Sequence, residues 1–484
     1  MPTKITIDEM ATFCKKKGFV YPNSEVYGGM AGFWDYGPLG VELKNNIRDS
    51  WWSKFVQSRD DVVGIDGTTI SNPMVWKASG HVDNFSDVYV KCTSCKKPNK
   101  VDKNELEKAK CECGGEYQII GDVNLMFKTN VGPVEGNVAY LRPETAQLIF
   151  TNFKLVHDTS RVKLPFGVAQ VGRAFRNEIS PRDFLFRCRE FEQMEIEFFI
   201  HPEQKDCSLL DDDEHMKFEL QLLSEEDQKK GKKEGKKIKL KDMLNKKMLG
   251  AWHAYWLKET YQWFLDMGVD RENLRLREHM KDELAHYSSA CFDVEYKFSF
   301  GWKEIHGNAN RGQFDLNQHQ KQSKKSMEIF DEETRKKVIP RVIEPSQGLD
   351  RAFLAVLFNA YNDDKKRGNV VLKLEPKLSP VKAGVFPLVN KLAKEARQVY
   401  NHLKKKFVCQ FDTSGSVGRR YARADEIGVP YCITVDFDTL KDKAVTIRDR
   451  DSTKQVRVKI DHLKDTLNKL INSDIEFEKA GKLI

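Results

Sequence analysis

From Gly172 to Phe199, GRAFRNEISPRDFLFRCREFEQMEIEFF, polar and apolar positions alternate with a period of two on either side of a cluster of turn formers. Arg173, Phe175 and Asn177 alternate with Ala174 and Arg176, and Ser180-Pro181-Arg182-Asp183 supplies the turn. The pattern predicts strand, loop, strand. On the second strand Arg187, Arg189, Phe191, Gln193 and Glu195 share one face. Phe186, Cys188, Met194, Ile196 and Phe198 share the other, with acidic exceptions at Glu190 and Glu192.

The same reading organises the rest of the chain. Thr6 to Lys17 predicts a short helix. Pro38 opens a second, with Val41, Ile47, Trp51, Trp52 and Phe55 at roughly helical spacing. A strand-like run from Val62 to Ile70 follows and is closed by Ser71-Asn72-Pro73. Leu141-Arg142-Pro143 ends a strand and Glu144 opens a helix, where a carboxylate also suits the helix dipole. Residues 251–269, AWHAYWLKETYQWFLDMGV, read as helix. After Glu283-Leu284-Ala285-His286-Tyr287, Asp293 to Phe300 alternates as a strand that Gly301 to Gly307 continues toward a turn. Gly307 to Gly312 gathers small and polar groups where a ligand can approach the backbone. Val342 to Arg351 and then AFLAVLFNAY predict strand, tight bend and apolar helix. Beyond Pro380, strands at AGVFPL, VCQFD, PYCITVDF and AVTIRDR alternate with helical stretches, which predicts a small α/β layer of parallel-type strands. Ser414 to Tyr421 reads as a loop carrying basic and aromatic groups.

Composition narrows the setting. A chain of 484 residues is long enough for several domains, and 31% charged with 40% apolar residues is the balance of a soluble globular protein. No apolar run approaches the ~20 residues of a membrane span, and the N-terminus has no secretory pattern, so the expectation is a cytoplasmic protein with no membrane partner. Cys92-x2-Cys95 and Cys111-x-Cys113 hold four of the ten cysteines. Two close pairs can close a tetrahedral four-thiolate zinc site, and four thiolates leave no open position, so such a zinc is structural. A metal-free thiol cluster is the alternative. Between His201 and Gly250 the chain is dominated by charge, with little to form a core. This reads as an inserted lobe with a mobile lysine-rich loop, either solvated or touching RNA. From Lys377 onward there are 22 Lys and Arg against 14 Asp and Glu, an excess that accounts for the whole formal charge of +8. A basic terminal segment on a near-neutral body points to a polyanion held at one end, or simply to a soluble surface.

The polar face of the hairpin decides between chemistries. It holds arginines, an aromatic ring, an amide and a carboxylate, and no lysine. Arginine forks suit phosphate or carboxylate, and the ring offers a flat base a stacking partner; an amphipathic hairpin with ordinary ion pairs is the plainer reading. F-R-N-E, a loop, then F-R-C-R-E-F-E-Q-M-E resembles motif 2 of the class II aminoacyl-tRNA synthetases, in the wording of the glycyl branch. The helix, strand and proline from Pro38 to Pro73 resemble motif 1, the family's dimer interface. E-P-S-Q-G-L-D-R at 344–351 resembles motif 3. The last segment resembles the anticodon-binding domain shared by the glycyl, threonyl, prolyl and histidyl enzymes.

The resemblance implies an α+β catalytic domain over 1–87 and 119–372, built on an antiparallel sheet flanked by helices. It also implies a zinc-binding insert at 88–118, a charged insert at 202–250 and an α/β anticodon-binding domain at 377–484. The implied activity is ATP-dependent activation of glycine and its transfer to the 3′ end of its tRNA, by a homodimer. Arg176 and Arg351 are the implied catalytic residues. ATP would be held by Arg176, Asn177, Glu178, Phe186, Arg187, Phe191, Glu283, Leu284, Gly348 and Arg351. In detail, Arg176 serves the α-phosphate, Arg187 and Arg351 the outer phosphates, and Phe191 the adenine. Magnesium is expected on Glu283, with help from Glu344. Glycine is expected among Glu144, Gln193, Glu195, Arg311, Glu344 and Ser346, and zinc on Cys92, Cys95, Cys111 and Cys113. A threonyl or prolyl enzyme, an inactive nucleic-acid-binding relative, and an added synthesis of dinucleotide polyphosphates are the other readings.

Overall fold

The computed structural model describes residues 5–101, 109–133, 136–178, 181–210, 213–284 and 288–484. Ser180 of the hairpin turn, and His286 and Tyr287, lie outside the described residues.

Nine strands form the central sheet: β1 Val62–Ile65, β2 Phe166–Phe175, β3 Glu190–Ile200, β4 Glu219–Leu223, β5 Lys236–Lys239, β6 Leu274–Glu278, β7 Ala290–Phe298, β8 Gly301–Gly312 and β9 Arg341–Gly348. Their order is β5-β4-β6-β7-β8-β9-β3-β2-β1, antiparallel except at β2–β1 and β4–β6. The predicted hairpin is β2 and β3, in register from Phe166↔Phe199 to Phe175↔Glu190.

Helices cover the sheet. In chain order they are α1 Ile7–Lys17, α2 Pro38–Trp52, α3 Ala146–Ser160, α4 Ala251–Asp266, α5 Phe314–Ser323 and α6 Leu349–Ala360. The α1 start shows why the sequence begins a helix there: Thr6 and Glu9 form a reciprocal capping box. On the main core side, Phe198 and Met194 of β3 pack with Trp252 and Trp256 of α4 and with Phe353 and Leu357 of α6. On the other side Phe199 of β3 meets Phe150 and Phe153 of α3.

Several elements differ from the sequence reading. Val62 to Ile70 is not one strand; β1 stops at Ile65, and Ile70–Ser71 pairs instead with Val138–Leu141. The run from Asp293 to Gly307 is also not one strand. Register pairs Phe298 with Gly301, leaving Ser299 and Phe300 as a two-residue hairpin loop, and Gly301 takes φ +107°, which its missing Cβ permits. Gly307 to Gly312, read as a ligand loop, therefore lies inside β8.

The described residues of the charge-rich stretch form strands and helices. Strands β4 and β5 extend the sheet edge, and Leu220, Leu222, Leu240 and Met243 are buried in the main core. Glu225–Lys229 and Glu226–Lys230 are ion pairs at the i,i+4 helical spacing. Charge counting missed this because the thinly spread apolar residues of the lobe mostly pack onto the main core.

The cysteine insert is a three-stranded sheet, with Ser86–Cys92 between Pro98–Val101 and Tyr117–Asn124. Among the described residues, its hydrophobic core holds Val88, Val90 and Val101 as buried residues.

The C-terminal segment carries β10 Ala383–Pro387, β11 Cys409–Phe411, β12 Tyr431–Val435, β13 Ala444–Asp449, β14 Gln455–Lys459 and β15 Lys482–Leu483. The sheet, in order β11-β10-β12-β13-β14-β15, is parallel only across its first three strands. Helices α7 Ala393–Leu403 and α8 Val417–Glu426 make those crossovers, whereas short connections reverse the chain from β12 to β14, and a helix at Ile460–Ile471 leads back to β15. The stretch read as a basic and aromatic loop is the start of α8. Arg420 is buried there, donating to the Pro387 and Gly415 carbonyls, and Tyr421 hydrogen-bonds Thr434. Arg419 remains exposed.

Candidate active site

Two adjoining cavities open on the face of β3, β8 and β9. The first, about 320 Å³, is walled by Arg176, Glu178, Phe186, Arg187, Phe191, Gly348 and Arg351 among others. The second, about 240 Å³, includes Glu144, Glu195, Glu283, Glu344 and Ser346. Arg176, Gln193, Glu304 and Ser346 line both.

In the first cavity the arginines are braced. The Arg176 Nε donates to the Pro143 carbonyl at 3.1 Å, and its guanidinium lies 5.2 Å from the Phe191 ring centre. Arg187 pairs with Glu178 at 3.0 Å, and Arg351 pairs with Glu304 at 3.0 Å while lying 4.5 Å over the Phe186 ring. Arg351 is aimed by its neighbour. Asp350 accepts from the Glu192 amide at 2.7 Å and from the Tyr36 hydroxyl, which locks the start of α6 to β3. A Cβ at Gly348 would lie 3.5 Å from Arg351 Cγ, in ordinary van der Waals contact.

The second cavity is backed by a buried charge network. Arg311 sends two hydrogen bonds to Asp315, each 2.8 Å, and one to Glu344 at 2.7 Å, with Glu144 at 4.0 Å. Glu195 accepts from the hydroxyls of Thr145 and Ser346. Glu144 accepts from Gln147 at 3.0 Å and stands 3.4 Å from His81. It therefore serves the cavity instead of capping α3. Burial works to raise the Glu144 pKa, but His81, Arg311 and Gln147 outweigh it and hold the carboxyl well below the usual range. Burial dominates at Glu195 and Glu344, which are pushed up, with neighbouring carboxylates adding to the shift.

Glu197 was not singled out in the sequence and is the most isolated acid of the group. It is 0% exposed, neither oxygen has a partner, and it stands across from Glu344, between the pairs Glu195↔Ser346 and Phe198↔Ile343. Burial, then Glu344, push its carboxyl well above 4.5 despite Arg311. The folded state thus binds a proton that the unfolded carboxyl releases near 4.5, so this group's contribution to stability is complete below that pH and is lost as pH rises through the raised value. Glu197→Gln is expected to flatten the fall in stability toward alkaline pH. Thermal midpoints of wild type and variant measured across pH check this, and parallel profiles would refute it.

The structure separates the sequence candidates. Arg176, Glu178, Phe186, Arg187, Phe191, Gly348 and Arg351 meet at the first cavity. Glu283 lies at the second, where both its oxygens accept from Arg277 at 2.6 Å. Asn177 and Leu284 line neither cavity; the Asn177 amide is taken by the Leu125 carbonyl at 2.7 Å. Arg189 also departs from its expected face, donating to the carbonyls of Glu178 and Ala31 at 2.9 Å each. Phe186 moves the other way, from the predicted core face to the cavity. The cause is the turn at Phe184–Phe186, entered through positive φ at Asp183 and Phe184, which resets the alternation before β3 begins at Glu190. Sequence reasoning missed His279, Cys291, Asp293 and Glu304. A period-two reading begun at Cys291 instead of Asp293 would have found two of them.

The four sulfurs of Cys92, Cys95, Cys111 and Cys113 lie within 4.8 Å of one another. The Cys92–Cys113 and Cys95–Cys111 separations are 3.5 and 3.6 Å. Zinc–sulfur bonds of about 2.3 Å in a tetrahedron need sulfurs roughly 3.8 Å apart, so the cluster fits that ion.

The model of the anticodon binding domain matches residues 382–470. The glycine–tRNA ligase of Acetivibrio thermocellus is 45% identical over 96% of this chain and 98% of its own length. That of Caldanaerobacter subterraneus subsp. tengcongensis is 44% identical with the same coverages. Among solved structures, prolyl-tRNA synthetase from Cryptosporidium parvum, complexed with halofuginone and AMPPNP, superposes with a TM-score of 0.61 at 14% identity. That alignment covers 97% of this chain and 78% of the other, and shows a shared fold. Identity at this level over nearly the full length of both chains settles the family: the chain belongs to the glycine–tRNA ligases.

Proposed function

We propose that the protein activates glycine with ATP and transfers it to the 3′ end of its tRNA. The observation that carries this reading is the joining of an arginine-lined cavity to an acid-lined one through Arg176. ATP belongs in the first and the glycine ammonium in the second. The glycine carboxylate oxygen then attacks the α-phosphorus, the bond to the β-phosphate breaks, and pyrophosphate leaves. In the second step a ribose hydroxyl of tRNA attacks the glycyl carbonyl and AMP leaves. The first step needs no protein nucleophile; it needs cations where two anions meet. Arg176 supplies one at the α-phosphate, with Arg187 and Arg351 on the outer phosphates and Phe191 against the adenine.

Selection of the smallest amino acid cannot rest on filling a hole. Gln193, Glu195, Glu344 and Ser346, with Glu144 and Arg311 behind them, grip the ammonium and form a rigid wall. The test is pyrophosphate exchange with purified protein. Exchange with glycine and not with alanine, threonine or proline is expected, and exchange with another amino acid alone would overturn the reading.

Magnesium would neutralise phosphate charge. Glu283 does not fit it as placed, with both oxygens on Arg277, whereas Glu304 faces both cavities with about half of its side chain exposed. Zinc belongs on the four insert cysteines. With three buried valines as the core of its described residues, the insert depends on the ion for its fold. Stripping zinc with a chelator is expected to open residues 86–124 and make those thiols reactive toward a thiol reagent, while the catalytic sheet stays folded by circular dichroism. Thiols equally reactive before and after chelation would refute a structural zinc.

The basic C-terminal unit, from about residue 377, is proposed to hold the tRNA anticodon. Its binding constant should then fall steeply with salt, as phosphate contacts require. The homodimer through α2, and residence in the cytoplasm, belong to the same proposal. Exposed Val26, Tyr27 and Met30 near the start of α2 support a covered surface there.

A further inference from the structure

Outside the residues assigned to ATP and glycine, one face of the β6–β7 ladder gathers three donors of different chemistry. Glu278 pairs with Phe292, and the next step sets His279 opposite Cys291, whose carbonyl accepts from the His279 amide at 3.0 Å. The strand period puts Asp293 on the same face as Cys291. The side chains meet there. His279 Nε2 is 2.7 Å from Asp293 Oδ2, Cys291 Sγ is 4.0 Å from Asp293 Oδ1, and one donor atom from each lies within 4.8 Å of the others.

The adjoining strand leaves room beside them. Gly307 pairs with Asp293 and Ala309 with Cys291. A Cβ built at Gly307 would stand 3.8 Å from both Asp293 Oδ1 and Glu304 Oε1. The three donors accordingly look into the second cavity, on whose wall Glu144, Glu195, Glu344 and Ser346 also lie. An imidazole, a thiol and a carboxylate with one side open suit a borderline-soft ion with a vacant fourth position. Magnesium, which prefers oxygen ligands alone, is a poor match. Arg277, a neighbouring cation, lies 3.9 Å from Asp293 and is held by two bonds to Glu283.

We propose that His279, Cys291 and Asp293 bind zinc or a similar divalent transition ion, and that this ion, projecting into the glycine cavity, inhibits glycine activation. The inhibition rests on the ligase reading above; the binding does not. On coordination the Nε2 proton that His279 shares with Asp293 passes to solvent, Nδ1 holds the ring's one remaining proton, and the freed nitrogen and carboxylate oxygen bond the metal. The Cys291 S–H bond breaks as the sulfur–metal bond forms, and the proton passes to solvent.

The test uses the full chain with its insert zinc in place, dialysed to equilibrium against Zn²⁺ in excess magnesium and assayed for metal content. Wild type is expected to hold one more ion per chain than Cys291→Ser or His279→Gln. Added Zn²⁺ should inhibit pyrophosphate exchange competitively with glycine. In either variant the inhibition should weaken by at least the roughly 10–100-fold that loss of even an outer partner of a metal ligand costs. A wild-type chain whose only zinc is at the Cys92 cluster overturns the proposal without any variant. So does inhibition unchanged in both variants, and having two variants covers the failure of one to fold. Absence of exchange before zinc is added would instead overturn the ligase reading, and the ion count would still decide the site.

Discussion

Replacing Arg176 by alanine is expected to slow glycine-dependent pyrophosphate exchange by about 10²–10³-fold, the usual loss when one positioned stabiliser of transition-state charge is removed. Arg176 borders both cavities, so it alone among the site arginines faces the junction where carboxylate and α-phosphate must meet. Its Nε is anchored on the Pro143 carbonyl, which orients the guanidinium before substrate arrives. Because the charge it answers develops during the reaction, the loss should appear in kcat more than in KM for glycine. Arg176→Lys retains a charge but not the fork, and should recover only part of the rate. Equal kcat in wild type and both variants would remove Arg176 from the chemistry.

Replacing Arg311 by methionine is expected to destabilise the catalytic sheet by about 3–5 kcal/mol, the cost of stranding buried partners of a removed charge. Its side chain is 1% exposed, and it is shared by Asp315 and Glu344 with Glu144 close by. Removing it would leave these carboxylates crowded together out of water, beside Glu195 and Glu197. Some would take up protons, so the variant should lose more stability at neutral than at acidic pH. Thermal unfolding at both pH values reads the effect. Arg311→Lys, which keeps one positive charge, should fold better yet raise KM for glycine, because an ammonium cannot hold Asp315 and Glu344 in one plane. A methionine variant as stable as wild type would show that the network is not charged as described.

Local patterns made some of this legible. The β2–β3 hairpin followed from alternation, the thiol cluster from spacing, and the bend before α6 from the E-P-S-Q-G-L-D-R string. Alternation failed where the chain leaves the ladder. Phe186 lies in the turn before β3, just after positive φ at Asp183 and Phe184, so its side chain does not obey the strand's parity and reaches the cavity. Charge counting failed at residues 202–250 because apolar residues too few for a separate core can still complete one already present.

The sequence by itself determined the chemical kinds present: forked arginines on strands, four closely spaced thiols, and motifs whose order places the chain in its family. Those depend on neighbours within a turn or a strand, where geometry is set by the backbone's own period. Only the tertiary structure decided which carboxylates surround Arg311, that Glu197 is buried opposite Glu344, and that His279 meets Cys291 and Asp293. It also decided that one arginine spans two cavities. Such groupings arise from cross-strand register between distant segments, as with Ser346 and Glu195, 151 residues apart in the chain and 2.7 Å apart in the site. Register is a collective outcome of packing both faces of a sheet, and no short window of sequence contains it.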